Sequence, residues 1–284
     1  IRLLVMSGFT DIENIQLWNS DLNNNIKLRK KYNTIVNEIK NALKFIQTSS
    51  SEDNQYSKSH RQNFYTSHEA LLIDYEKSFL QKYKNKNYCC SGHMLWVGNR
   101  TRHPNSEQIK FLSTINNPIG VKIGPEINVD HLHQIYDKLN PKNEKGKLIF
   151  IVRLGAKNIQ KILPLIIERV KYYGHEIIWF CDPMHGNTIK SKNGYKTRNF
   201  NTIIKELECF FKILKSSKVI PGGVHFELTG EKVTECLGGI NNIKDVDLDL
   251  RYESTCDPRL NIEQSLEIAF LISKFIQSKE YNKI

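Results

Sequence analysis

From His93 onward the chain alternates short apolar runs with amphipathic stretches of helical length. The runs occupy residues 94–97, 119–123, 148–152, 177–181 and 224–228, and the stretches include 159–172, 200–214 and 261–276. Near-continuous apolar strands need burial on both faces, and strands that alternate with helices come out parallel. The pattern therefore specifies an α/β fold, a parallel sheet covered by helices. A sixth strand is expected just before Cys256, because a long helical stretch follows it. About six β/α units result, and no glycine-rich dinucleotide fingerprint accompanies them, which argues against a Rossmann sheet.

The first third has a different texture. Residues 1–20 are amphipathic, and residues 26–47 repeat apolar side chains at helical spacing through Ile35, Val36, Ile39, Leu43 and Ile46. The polar stretch 48–63 reads as a loop. Ser67 has the character of an N-cap, ahead of a helix carrying Leu71, Leu72, Tyr75 and Phe79. The chain starts at Ile1 rather than at methionine and shows no secretory signal pattern, so a piece of something longer is expected.

Composition removes several function classes. Lys+Arg number 41 against 30 Asp+Glu, a net charge of +11. Much of the excess is dispersed, as in Lys27-Leu-Arg-Lys-Lys31, and reads as solvated helix faces. With no zinc-finger spacing, RNA-recognition signature or basic stripe with interleaved aromatics, no nucleic-acid partner is expected. No apolar run approaches the roughly 20 residues a membrane helix needs, so no membrane is expected either. Cys89, Cys90, Cys181, Cys209, Cys236 and Cys256 lack disulfide-framework spacing, which fits a reduced, cytoplasmic chain.

The chemistry is concentrated at strand ends. The first run leads into Trp96-Val-Gly-Asn-Arg-Thr-Arg102, the second carries Lys122, and the third ends in Arg153. The fourth leads into Cys181-Asp-Pro-Met-His-Gly-Asn187, the fifth into His225-Phe-Glu-Leu-Thr-Gly-Glu231, and the expected sixth into Cys256-Asp-Pro-Arg-Leu260. In parallel barrels the C-terminal strand ends and the loops after them build the active site. One pole would then carry Arg100, Lys122 and Arg153 opposite His185, Glu227 and Asp257. Taken singly, each has a bland reading: a strand-end Arg is often an ion-pair partner, and a lone His is more often a hydrogen-bonded residue than a ligand. Lys122 is sharper, because a lysine within Ile-Gly-Val-Lys-Ile-Gly is costly to bury without an anion. An imidazole with two carboxylates suits Mn²⁺, Co²⁺, Fe²⁺ or Zn²⁺. Two Arg and a Lys facing a divalent metal suit a phosphorylated, carboxylated substrate.

Seven motifs carry a family resemblance. They are Thr66-Ser-His-Glu-Ala70; His93-Met-Leu-Trp96 with Arg100-Thr-Arg102; Asn117-Pro-Ile-Gly-Val-Lys122; Asp182-Pro-Met-His-Gly-Asn187; Pro221-Gly-Gly223 with Glu227 and Thr229-Gly-Glu231; Thr234-Glu-Cys-Leu-Gly-Gly239; and Arg251-Tyr-Glu253 leading to Cys256-Asp-Pro-Arg-Leu260. Through them nearly the whole chain resembles the type II 3-deoxy-D-arabino-heptulosonate 7-phosphate (DAHP) synthases of the shikimate pathway. The resemblance implies a (β/α)8 barrel that condenses phosphoenolpyruvate with erythrose 4-phosphate and water, releasing phosphate. It implies His185, Glu227 and Asp257 as ligands of a divalent metal, Mn²⁺ or Co²⁺ in the first place. It implies Asn99, Arg100, Lys122 and Arg153 as phosphoenolpyruvate-binding positions, with Arg100, Lys122, Arg153 and His185 taking part in catalysis, and it implies a homo-oligomer.

Two departures from the family follow. Its fourth ligand, a first-strand cysteine, and its Lys-Pro-Arg phosphate motif are expected upstream of these residues, although Cys256 is expected close to the metal. The 284 residues are then the C-terminal portion of a single catalytic barrel domain, with a helical insertion over 22–84. Six strands cannot close an eight-stranded barrel, so the isolated portion is expected to fold poorly and to be inactive. The second departure is Asn99, where the family usually shows Glu. The rival expectations are a secondary-metabolism relative making DAHP or its amino analogue, and a non-catalytic relative that binds metabolites.

Overall fold

The computed structural model describes residues 26–49 and 65–277. The chain divides into two compact bodies, residues 1–65 and 66–284. In the first body the described element is helix α1, Ile26–Ser49, which follows the apolar spacing of its sequence. The helix expected over 1–20 and nearly all of the loop expected over 48–63 lie outside the described residues.

The second body runs β1 (Ser67–Glu69), α2 (Ile73–Ser78), β2 (Leu80–Tyr83), β3 (Lys86–Cys89), β4 (Met94–Val97), α3 (Glu107–Leu112) and β5 (Ile119–Ile123). It continues through α4 (Val129–Leu139), β6 (Leu148–Val152), α5 (Ile159–Tyr172), β7 (Ile178–Cys181), β8 (Thr188–Lys190) and β9 (Lys196–Arg198). Helix α6 (Phe200–Ser216), β10 (Pro221–Val224), a 3₁₀ turn at Asp245–Asp247 and α7 (Ile262–Gln277) complete it. Six strands form one sheet in the order β1-β4-β5-β6-β7-β10, every pairing parallel. This is the α/β fold that the alternation specified. Two antiparallel hairpins, β2–β3 and β8–β9, stand apart from the sheet.

Burial explains why these residues make these elements. Every side chain of β5 and β6 is buried, as central strands covered on both faces require. Helix α4 buries Leu132, Ile135, Tyr136 and Leu139, and α5 buries Leu163, Ile166, Ile167 and Val170. Helix α6 buries Ile203, Leu207, Phe210 and Leu214. Truncating any one such leucine to alanine costs about 2–5 kcal/mol. Ser106, Asn128 and Asn199 cap α3, α4 and α6 by accepting hydrogen bonds from Ile109, Asp130 and Asn201 backbone N–H groups. Among the described residues no helix is long and apolar enough to cross a membrane.

Three sheet strands differ from expectation. Ser67 opens strand β1, paired with Met94 on β4, rather than capping a helix. The strand is short, polar and at the sheet edge, so it carries no apolar run to betray it. The helix starts later, at Ile73, and leaves Leu71, Leu72 and Tyr75 exposed. Within the stretch 22–84, residues 67–69 and 80–83 are strands rather than helix. The strand expected before Cys256 is absent. The buried carboxylate of Glu235 accepts from the backbone N–H groups of Glu253, Ser254 and Arg259. Those groups would otherwise have fed a strand ladder, so the segment folds as a side-chain-anchored turn. Strand β10 also ends at Val224, earlier than the apolar run 224–228, and a single parallel bridge from Leu228 to Leu260 follows it.

Candidate metal and anion site

The C-terminal ends of the parallel strands open on a cleft of about 620 Å³. Asn99 and Arg100 reach it from the turn after β4, Lys122 from β5 and Arg153 from the end of β6. His185 enters from the turn after β7, Glu227 from just past β10, and Asp257 from the turn anchored by Glu235. All seven positions singled out in the sequence therefore line one cleft.

His185, Glu227 and Asp257 offer ligand atoms that all lie within 4.8 Å of one another. His185 Nε2 stands 3.2 Å from Glu227 Oε1 and 4.0 Å from Asp257 Oδ2. The other ring nitrogen, Nδ1, lies 2.8 Å from Asp182 Oδ2. An ionised carboxylate only accepts, so that contact places the proton on Nδ1 and leaves the Nε2 lone pair facing the two carboxylates once the imidazole is neutral. Asp182 is itself fully buried and accepts from the backbone N–H groups of Met184 and His185 and from Lys122 Nζ. Burial opposes its charge, but the His185 hydrogen bond and the Lys122 ammonium hold it well below the usual carboxylate range. His185 is pushed the other way, to about 9: burial lowers it, and hydrogen bonds to Asp182 and Glu227 outweigh that. Glu227 is lowered against its own burial by His185 and by the Arg198 charge.

The cationic side is built differently at each position. Lys122 is 5% exposed, pairs with Asp182 and lies 5.7 Å from the Trp96 ring centroid. The anion that its burial demands thus comes from the chain itself. Burial still lowers its ammonium, with Asp182 acting in the opposite sense. Arg153 donates from Nη2 to the His185 carbonyl at 2.6 Å, while its Nε is buried with no partner among the described residues. Arg100 stands exposed at the cleft mouth. Asn99 is held by the framework: its Oδ1 accepts from Gly124 N–H at 2.8 Å and from Arg102 Nε at 3.1 Å.

Glycine sets how closely the loops approach. A Cβ on Gly186 would come within 2.4 Å of the Gly155 nitrogen, and Gly155 adopts a φ of +79°. The Arg153 and His185 loops touch backbone to backbone there. On the next strand, Gly120 leaves room for Trp96, whose Cβ a side chain at 120 would meet at 2.8 Å.

Three residues of the site were not singled out in the sequence. Asp182 was visible as part of its motif, three positions before His185. His225 lines the cleft with its ring edge-on to Trp96, centroids 5.2 Å apart. Burial and the Lys122 charge push it down to about 4, so it is neutral near pH 7. Arg198 lies behind the ligands, and nothing in its local sequence marks it.

Comparison with known proteins identifies a family and relatives. Residues 1–273 match the Class-II DAHP synthetase family. A phospho-2-dehydro-3-deoxyheptonate aldolase of Streptomyces coelicolor is 40% identical over 281 residues, covering 98% of this chain and 62% of that protein. The phospho-2-dehydro-3-deoxyheptonate aldolase AroG of Mycolicibacterium smegmatis is 40% identical over 284 residues, covering 98% of this chain and 61% of its own length. A truncated 3-deoxy-D-arabino-heptulosonate 7-phosphate synthase from Thermotoga maritima aligns with a TM-score of 0.40 at 13% identity, over 66% of this chain and 60% of that one. The chain thus spans about three-fifths of the length of the curated relatives it matches. On the extent of the family match and the identity to both relatives, the chain belongs to the Class-II DAHP synthetase family.

Proposed function

We propose that this chain carries the metal-binding half and much of the phosphoenolpyruvate-binding half of a DAHP synthase. The reaction is the condensation of phosphoenolpyruvate with erythrose 4-phosphate and water, giving DAHP and phosphate. One observation carries the reading: the ligand atoms of His185, Glu227 and Asp257 lie within 4.8 Å of one another in a cleft that Lys122, Arg153 and Arg100 also line.

The donor set fits a divalent transition metal. His185 Nε2 is kept proton-free by the Nδ1 contact to Asp182 once the ring is neutral, and two carboxylates stand beside it. A divalent ion held there, Mn²⁺ or Co²⁺ by preference, supplies Lewis-acid polarisation of the aldehyde oxygen. The chain's own side chains do the rest. Arg100 and Arg153 present guanidinium donors to the phosphate and carboxylate of phosphoenolpyruvate, and Lys122 adds a fixed positive charge in a partly dry cleft. Arg153 is held by the His185 carbonyl and Lys122 by Asp182, so both charges are oriented before substrate arrives. Such preorganisation is where electrostatic stabilisation of a developing oxyanion gains most.

Phosphate release from phosphoenolpyruvate by the intact protein tests this reading. It should require erythrose 4-phosphate, stop on chelation and return with Mn²⁺. Aldehyde-independent or metal-independent release would contradict it.

A further inference from the structure

Arg198 connects the three loops that hold the candidate ligands. It sits on β9 opposite Thr188 of β8 and is fully buried. Its Nε donates to Thr188 Oγ1 at 3.1 Å, and that hydroxyl contacts the Met184 carbonyl, next to His185. Its Nη1 donates to Glu227 Oε2 at 2.5 Å and to the carbonyl of Pro258, the residue after Asp257. One guanidinium therefore touches Glu227 directly and reaches the turns of His185 and Asp257 through Thr188 and Pro258.

Resting on the metal site proposed above, we infer that Arg198 is a positioning residue that sets the geometry and denticity of that site. Oε2 of Glu227 accepts from Arg198, while Oε1 faces His185 Nε2 and is the oxygen turned toward an ion shared with His185. Arg198 thereby biases Glu227 toward one-oxygen coordination and balances its charge from behind. The Asp257 turn is fixed by the same nitrogen. A residue present for stability alone would saturate its donors, yet Arg198 Nη2 is buried with no partner among the described residues. An unmet buried donor carries a cost, and the arrangement gives up that stability while its other two nitrogens serve the ligand loops.

Lysine in place of Arg198 keeps the charge but loses the planar fork, so it cannot hold Thr188, Glu227 and Pro258 together. The test is Mn²⁺ titration of the intact protein, wild type against Arg198→Lys, alongside the thermal melt of each metal-free form. Outer partners of metal ligands typically change affinity by ~10–100-fold. Arg198→Lys should fall in that range while its melt stays cooperative, and the visible spectrum of the Co²⁺-loaded form should shift as Glu227 regains its second oxygen. If the lysine variant does not fold, Thr188→Val removes the Nε contact and the hydroxyl's link to the Met184 carbonyl while leaving Nη1 on Glu227 and Pro258, and should weaken Mn²⁺ by roughly 10-fold, the low end of such effects. A folded variant with wild-type affinity and an unchanged Co²⁺ spectrum overturns the inference. Wild-type protein that binds no Mn²⁺ would instead overturn the metal site on which the inference rests.

Discussion

His185 and Asp182 form a hydrogen-bonded pair three residues apart, Nδ1 to Oδ2 at 2.8 Å, on the turn that closes β7. The pair fixes which imidazole nitrogen faces the cleft. It also ties the candidate ligand to Lys122, because the same Asp182 oxygen accepts from the lysine. Ligand orientation and the central cation therefore depend on one buried carboxylate.

Asp182→Asn separates these roles. The amide can still contact His185 but no longer neutralises Lys122, and breaking a buried pair from one side costs about 3–5 kcal/mol. Chemical denaturation should report that loss. Mn²⁺ titration of the variant should show affinity lower by ~10–100-fold. Unchanged values of both would show that Asp182 is incidental.

The His185 ring predicts two opposed pH trends. Its folded, metal-free pKa is raised from 6.5 to about 9. A raised pKa means the folded state holds the proton more tightly than the unfolded one. That contribution is complete below pH 6.5 and fades as pH rises through about 9, so the metal-free protein should lose thermal stability across this window. A metal needs the neutral ring, so Mn²⁺ affinity should rise over the same window and binding should release close to one proton. Calorimetry in buffers of different ionisation enthalpy reads the proton directly. Affinity that is flat with pH would contradict the assignment of Nε2 as a ligand.

Arg100 and Lys122 should respond differently to removal. Arg100 is exposed, so Arg100→Ala should leave stability within about 0.5 kcal/mol. It should weaken phosphoenolpyruvate by about 1.5–3 kcal/mol, the range of a hydrogen bond to a charged group. Lys122→Met removes the ammonium partner of buried Asp182, leaving His185 as its cationic partner, and should lower both the melting temperature and phosphoenolpyruvate affinity. Parallel melts and binding titrations of the two variants separate surface capture from buried organisation.

A methyl group at Gly186 would meet the Gly155 backbone at 2.4 Å. Backbone cannot yield as a side-chain tip can, so Gly186→Ala should cost about 1–3 kcal/mol and displace the His185 carbonyl that holds Arg153. The signature is a lowered melting temperature together with a raised KM for phosphoenolpyruvate. A silent substitution would mean that the two loops move independently.

Central strands were readable from sequence because burial on both faces leaves an uninterrupted apolar run, as in β5 and β6. Strand β1 was not, since Ser67-His-Glu69 at a sheet edge needs no apolar residues and resembles a helix start. The absent strand before Cys256 failed for another reason: Glu235, some twenty residues upstream, captures its backbone N–H groups, and no local pattern reports so distant an acceptor. The same holds at the site. Strand-end position exposed Lys122, Arg153 and His185, and Asp182 lay within a motif. Arg198 acts through contacts 29 and 60 residues away in sequence, which only the folded chain brings together.

Anomalous X-ray diffraction from crystals of the intact protein soaked in Mn²⁺ tests the central claim most directly. The account predicts a single strong peak roughly 2.0–2.3 Å from His185 Nε2, Glu227 Oε1 and an Asp257 oxygen. A fully soaked crystal with no density there, or with the ion held elsewhere, would contradict it.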